Sequence, residues 1–496
     1  MLRPRHLALV AATLLAPGMV SDAVAAERAN HERSWTPPAA ALQWKSALAR
    51  TRPATALTYR ELPLARIVAL HRNNQDGAKG VLKVQQIGIT RSAGSESSAG
   101  RLPALQWTTV EDGGTVTRIE VTSPVALGLR VGLKLDAMHP LAQLRFGGSE
   151  LPVTISSVLS GAEVSRLADA RGVFWTPVTD GETQTIEIYL PPGVATGTVR
   201  VHAPELAHLL ANSRSEFKIV EKIGESDSCN IDTACRVPEL GSAFVRAKNA
   251  VAHMVYNVYD TNGVSSGTYV CTGTLLADTV ADTQVPWFYS ARHCFAGGSE
   301  GVPVQDMAKV ANSLNTHWGY EATACGNGVQ AATVLLSGGA DLMHADAVTD
   351  AMLLRLRNPA PAGAEFSGWD SAALGDNAGI LAIHHPSGDA KKVSSGLKLS
   401  TDNEHHMVAW TSGTTERGSS GSGLFTLDAS GYRLRGGLYG GDASCANSGS
   451  TSNTQNRDWY SRFDVVYPSL SQYLSPAPST TPIRRNGSQP LIPPAQ

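Results

Sequence analysis

All six cysteines of this 496-residue chain lie after residue 228: Cys229, Cys235, Cys271, Cys294, Cys325 and Cys445. A region that can be cross-linked therefore follows one that cannot, with a boundary near residue 223. An even number of cysteines without a Cys-x-x-Cys pair reads as three disulfides, not as a zinc site. Spacing alone permits fifteen pairings.

Disulfides imply an oxidising compartment, and the N-terminus agrees. Arg3, Arg5 and His6 precede the apolar run Leu7 to Ala16, and Ala23-Val24-Ala25 offers a small-residue cleavage site, with Ala26 as an alternative. A membrane-spanning helix needs about 20 apolar residues, and this run has about half that. Residues 1–26 are thus expected to be a cleaved signal peptide and the product to be secreted, with no membrane span. A formal charge of −2 gives no field that would draw the chain to nucleic acid.

The length suits two or three domains. Charged residues make up only 17%, while Gly (47) and Pro (27) are abundant, which favours strands and turns over long helices. Between 27 and 222, Trp35-Thr36-Pro37-Pro38 and Arg52-Pro53 suggest an extended arm. Val81 to Val84, Thr115 to Val121 and Thr185 to Leu190 then alternate between turn signals, as antiparallel strands of a sandwich do. Glu205 to Ser213, just after Pro204, is expected to be a short helix. From 223 to 474 the β-rich pattern repeats, with strands at Val251 to Tyr256 and Met352 to Leu356 and a closing helical turn at Pro468 to Leu474. Residues 475–496 form a proline-rich tail with little to bury. The whole reads as all-β.

Two segments carry chemistry. Gly418-Ser419-Ser420-Gly421-Ser422 offers a serine in a tight turn, with the N–H groups of Gly418 and Ser420 free to form an oxyanion hole. In isolation it is also what any flexible Gly/Ser loop looks like. His293 is more specific. Trp287 to Ser290 reads as a buried strand leading into it, and Cys294 follows. Cys271, 23 residues upstream of Cys294, opens the partner strand Cys271 to Leu276. A bridge between these cysteines would fix the imidazole. Serine needs a base, and the base needs an orienting acid. Asp350, at the mouth of the apolar run Ala351 to Leu356, is one candidate; Asp341 and Asp346 compete, and spacing does not choose.

The order His, Asp, Ser is that of chymotrypsin-like proteases. Residues 224 to 474 resemble the bacterial secreted lysyl endopeptidases, through Ser228-Cys229-Asn230-Ile231-Asp232, Cys271-Thr272-Gly273, His293-Cys294, Ala382-Ile383-His384-His385-Pro386, and Thr415-Glu416 ahead of the Gly418–Ser422 turn. The resemblance implies a chymotrypsin-like double β-barrel cutting after lysine, with His293, Asp350 and Ser420 as the triad. It also implies the bridges Cys229–Cys445, Cys235–Cys325 and Cys271–Cys294, and Asp458 at the base of the specificity pocket. A lysine ammonium leaving water needs such a counter-charge; Asp442, near Cys445, is the competitor.

The chain departs from that family in its cleft. Where the family has a histidine in His-Gly-Gly, stacked on a tryptophan, this chain has Tyr439-Gly440-Gly441. The stretch between Lys392 and Trp410 is shorter than the family's, so Trp410 is either a substitute for that tryptophan or a core residue. Tyr439 and Gly440 are taken as substrate-binding. Region 27–222 then reads as a β-rich propeptide, released by self-cleavage after Lys222. His384-His385 and His405-His406, the latter in a polar loop, are taken as structural or exposed, and no metal or cofactor is expected. The expected partners are peptide substrates and the chain's own propeptide, on a monomer. The rival readings are a trypsin-like enzyme that also accepts arginine, and a non-catalytic binding protein on a protease scaffold.

Overall fold

The computed structural model describes residues 26–48, 54–76, 82–213, 224–281, 283–296 and 304–476. Lys222, residues 1–25 and the tail beyond 476 lie outside them.

The N-terminal half is built on two packed sheets. Thr115–Thr122 pairs antiparallel with Thr183–Leu190, which pairs in turn with Gln143–Gly148. In the second sheet Arg200–Leu209 lies between Gly128–Ala137 and Gln85–Ser92. Ile119, Phe146 and Ile186 from one sheet share a core with Leu129, Val131 and Leu206 from the other. This is the sandwich that period-two patterning predicts. The helix expected from Glu205 to Ser213 is instead the end of the Arg200–Leu209 strand. Leu206, Ala207, His208 and Leu209 are all buried. A strand covered on both faces loses its alternation and cannot be told from a buried helix by pattern.

The C-terminal half holds a closed six-stranded barrel and a curled half-barrel. The closed barrel runs Gly379–His384, Lys392–Thr401, His405–Ser412, Asp458–Ser461, Gly431–Gly441, Gly423–Asp428 and back to the first. The half-barrel pairs Asn315–Trp318 with Val251–Tyr259, then Ser265–Leu276, Trp287–Ala291, Ala351–Leu356 and Ala340–Ala345. The closing helix is longer than Pro468 to Leu474. It spans Phe463–Leu474 and buries Phe463, Val466, Tyr467, Leu470 and Leu474, a helical spacing that starts ahead of the proline.

The two halves are joined by backbone. Gln85–Ser92 also pairs with Ser265–Leu276, matching Gln85 to Val270 and Gly88 to Thr268, so one sheet runs from the sandwich into the half-barrel. The residues expected to lead the N-terminal arm are also bound to the C-terminal half: Arg28–Ala29 pairs with Trp369–Asp370, and Glu32–Arg33 with Glu365–Phe366.

Three disulfides join Cys229 to Cys445, Cys235 to Cys325 and Cys271 to Cys294. Among the described residues no helix is long and apolar enough to cross a membrane.

Candidate active site

Strand register brings the acid to the histidine. Trp287–Ala291 and Ala351–Leu356 are antiparallel, with Ala291 opposite Ala351. His293, just past one strand end, therefore meets Asp350, just before the other. The His293 backbone N–H donates to Asp350 Oδ1 at 2.8 Å, and His293 Nδ1 lies 2.6 Å from Oδ2. Asp350 holds φ at 61°, a left-handed conformation that aspartate tolerates better than most residues. The Cys271–Cys294 bridge pins the next residue of the histidine turn to the neighbouring strand. Asp341 is engaged by Arg355 and Arg357, and Asp346 accepts the Thr349 hydroxyl.

On its other side His293 Nε2 lies 2.7 Å from Ser420 Oγ. The glycines around Ser420 are required by the turn. Gly418 has φ 91° and Gly421 φ 78°, and a Cβ on Gly421 would collide with the Ser290 hydroxyl and the Thr272 carbonyl. His384 braces the turn: its Nδ1 lies 2.8 Å from Ser419 Oγ and its Nε2 3.0 Å from Ser394 Oγ. Burial lowers its pKa to about 3, so the ring stays neutral. The chain of contacts from Asp350 through His293 to Ser420 can accept a proton from the hydroxyl and hold the resulting imidazolium.

Asp458, at the start of the Asp458–Ser461 strand, is fully buried. Its Oδ2 takes two donors, Trp410 Nε1 at 2.7 Å and Thr415 Oγ1 at 2.6 Å. Its Oδ1 takes the ammonium of Lys83, from the N-terminal half, at 2.7 Å. Lys83 Nζ also donates to Thr415 Oγ1 at 2.7 Å, the Ala443 carbonyl at 2.9 Å and the Thr415 carbonyl at 3.0 Å. The Lys83 carbonyl accepts from the Gly418 N–H at 2.5 Å, and Leu82 forms an antiparallel bridge with Gly440. Asp442, weighed against Asp458 as the acid for a cationic side chain, is not among the acceptors of the Lys83 ammonium.

The Tyr439 ring lies 6.0 Å from that of His293 and 4.8 Å from that of His405. His405 and His406 are not in a polar loop. They open the His405–Ser412 strand and are buried, because the barrel strand Asp458–Ser461 pairs directly with them.

Residues 58–210 match the family model of the lysyl endopeptidase N-terminal domain, and residues 223–461 that of the lysyl endopeptidase C-terminal domain. The lysyl endopeptidase of Pseudomonas aeruginosa (strain PAO1) is 32% identical over 389 residues, covering 76% of this chain and 78% of that protein. The chain belongs to the lysyl endopeptidase family. It is a protease.

Two residues of this lysyl endopeptidase homologue were not assigned their place by sequence reasoning. Lys83 lies inside an apolar run that reads only as a strand. Its signal is that a lysine between Leu82 and Val84 is the group the family's pocket is expected to take. Trp410 was open between cleft and core; it is fully buried, and its indole N–H reaches Asp458.

Proposed function

We propose that this protease is an exported endopeptidase that cleaves on the carboxyl side of lysine through an acyl-enzyme on Ser420. Ser420 Oγ attacks the scissile carbonyl while His293 Nε2 takes its proton. The N–H groups of Gly418 and Ser420 hold the oxyanion, and His293 returns the proton to the leaving amine. Asp350 keeps the imidazole in the tautomer with hydrogen on Nδ1 and stabilises the imidazolium. Water then repeats the sequence on the acyl-enzyme. Asp458 receives the lysine side chain, with Tyr439 and Gly440 along the cleft. Residues 1–26 direct export, and residues 27–222 are a propeptide released after Lys222 from a monomeric enzyme.

The observation that carries this reading is one lysine, Lys83, whose ammonium is held by the buried Asp458 carboxylate while its carbonyl accepts from Gly418, two residues before the Ser420 that contacts His293. The test is to incubate the processed enzyme with a denatured protein and map the cut bonds by mass spectrometry. Cuts after lysine that vanish in Ser420→Ala support it. Cuts that persist in that variant, or that ignore lysine, sink it.

A further inference from the structure

We propose that Lys83 is the chain's own inhibitory substrate mimic, and that the Lys83–Val84 bond lies across the catalytic cleft as a plug that keeps the precursor closed. This rests on the reading of Asp458 as the acceptor of a substrate lysine.

Main chain and side chain support it together. Leu82 pairs antiparallel with Gly440, as an extended peptide adds a strand to a cleft edge. The Lys83 ammonium has four acceptors in the pocket, and its side chain is only 7% exposed. Its carbonyl accepts from Gly418, one of the two proposed oxyanion donors. The next carbonyl, of Val84, accepts from Arg417 Nη1 at 2.8 Å. From Gln85 onward the chain enters the ladder with Ser265–Leu276. The segment therefore occupies the cleft on both sides of the Lys83–Val84 bond, with its carbonyl at the catalytic turn. Covalent attachment also gives the plug a high effective concentration against any free substrate.

The same geometry explains why a bound lysyl bond would persist beside a working triad. In the forward step Ser420 Oγ bonds to the Lys83 carbonyl carbon and the bond to Val84 N breaks. The serine proton passes through His293 to the Val84 amine. That amine cannot diffuse away, because Gln85–Ser92 is hydrogen-bonded to Arg200–Leu209 on one edge and to Ser265–Leu276 on the other. Held at the acyl carbonyl, it attacks in reverse; the amine proton returns through His293 to Ser420 Oγ and the peptide bond reforms. The plug leaves only when the strand leaves, so cutting after Lys222 does not by itself open the cleft.

The test uses the full-length Ser420→Ala precursor, which cannot process itself. Two measurements are made on it. Acetylation by a water-soluble acylating reagent, read by mass spectrometry, should modify Lys83 about tenfold or more slowly than Lys134, because reaction must wait for local opening. Lys134 has a side chain 49% exposed. Equal rates would overturn the plug. A fluorescein-labelled heptapeptide with the sequence of residues 80–86 should bind the Ser420→Ala precursor about tenfold or more weakly than the Ser420→Ala/Lys83→Ala precursor, since an occupied site lowers apparent affinity by the fraction open. Equal affinity would also overturn it. Adding Asp458→Asn to the double variant should abolish binding; binding that survives sinks the pocket reading while leaving the protection of Lys83 standing. If Lys83→Ala prevents folding, the acetylation rates decide alone.

Discussion

Lys83 Nζ lies 2.7 Å from Asp458 Oδ1 although 375 positions separate the two residues in the chain. Asp458 has no solvent exposure, so its charge is compensated wholly by the donors around it. A buried carboxylate of this kind recognises a cation strongly and a neutral side chain poorly.

Asp458→Asn should therefore lower kcat/KM for a lysyl amide substrate by about 30-fold to several thousand-fold, the equivalent of truncating one partner of a buried charge pair at about 2–5 kcal/mol. Substrates with a neutral residue at that position should lose far less. Parallel assays on lysyl and methionyl peptides check this, and equal losses on both would move the cation site elsewhere.

How much of this was legible in the sequence depended on the range of the contact. His293 beside a cysteine and Ser420 between glycines each carry a local signature. Asp350 does not, because Asp341 and Asp346 lie close by in sequence; what separates them is that Ala291 pairs with Ala351, a register that spacing does not encode. Lys83 was legible only as part of a strand, since its partners Thr415, Ala443 and Asp458 come from the distant barrel. The end of the Arg200–Leu209 strand reads as a helix because burial on both faces removes its alternation. His405 reads as loop because it follows the polar run Asp402-Asn403-Glu404, although it opens a strand.

The disulfides should separate stability from turnover. Cys229–Cys445 closes a sequence separation of 216 residues and Cys271–Cys294 one of 23. On chain entropy, replacing the first pair by alanines should cost about 5 kcal/mol and the second about 3 kcal/mol. The effects on activity should run the other way. Cys294 adjoins His293, so losing the short bridge should lower kcat. Cys445 is two residues from Ala443, whose carbonyl accepts from the bound ammonium, so losing the long one should raise KM with kcat nearly held. Denaturant midpoints and steady-state kinetics on both double variants provide the check. A larger drop in midpoint for the short bridge would contradict the assignment.

Acid should destabilise the precursor through a buried group of histidines. His253 lies opposite His317 across two strands, and its ring is 5.1 Å from that of His385, which stacks on Tyr320. A small cavity places His253 and His317 against Ile87, Val178 and Leu209 of the N-terminal half. Burial lowers all three pKa values: His317 from 6.5 to about 4, and His253 and His385 well below 6.5. The charged neighbours, Arg130 toward His317 and Lys391 toward His385, lower them further. A depressed histidine pKa means the unfolded chain binds the proton more readily. This contribution to stability is complete above about pH 6.5 and falls as the pH drops toward about 4, by at most ~1.4 kcal/mol per pH unit for each histidine. Calorimetry of the Ser420→Ala precursor should show its midpoint falling through that window. His385→Phe should flatten the slope, and an unchanged slope would exclude the cluster as its source.

The choice between lysine and arginine should be set by Trp410. A guanidinium is held best by a carboxylate offering both oxygens to its planar fork, whereas an ammonium needs one oxygen and other acceptors spread around it. Here Asp458 Oδ2 is already taken by Trp410 Nε1 and Thr415 Oγ1, which leaves Oδ1 alone for the substrate. The Thr415 hydroxyl and the Thr415 and Ala443 carbonyls supply the other acceptors around the Lys83 ammonium. Trp410 is fully buried against the acid, so its bulk should also limit the room for the longer arginine side chain. Trp410→Phe removes the indole donor and part of the wall together. It should raise arginine cleavage relative to lysine by about tenfold or more, about 1.4 kcal/mol of discrimination. Cleavage of matched lysyl and arginyl peptide libraries measures the ratio. A ratio unmoved by Trp410→Phe, in a variant that still folds and turns over lysyl peptides, would mean that the acceptor geometry around the ammonium excludes arginine without help from the indole.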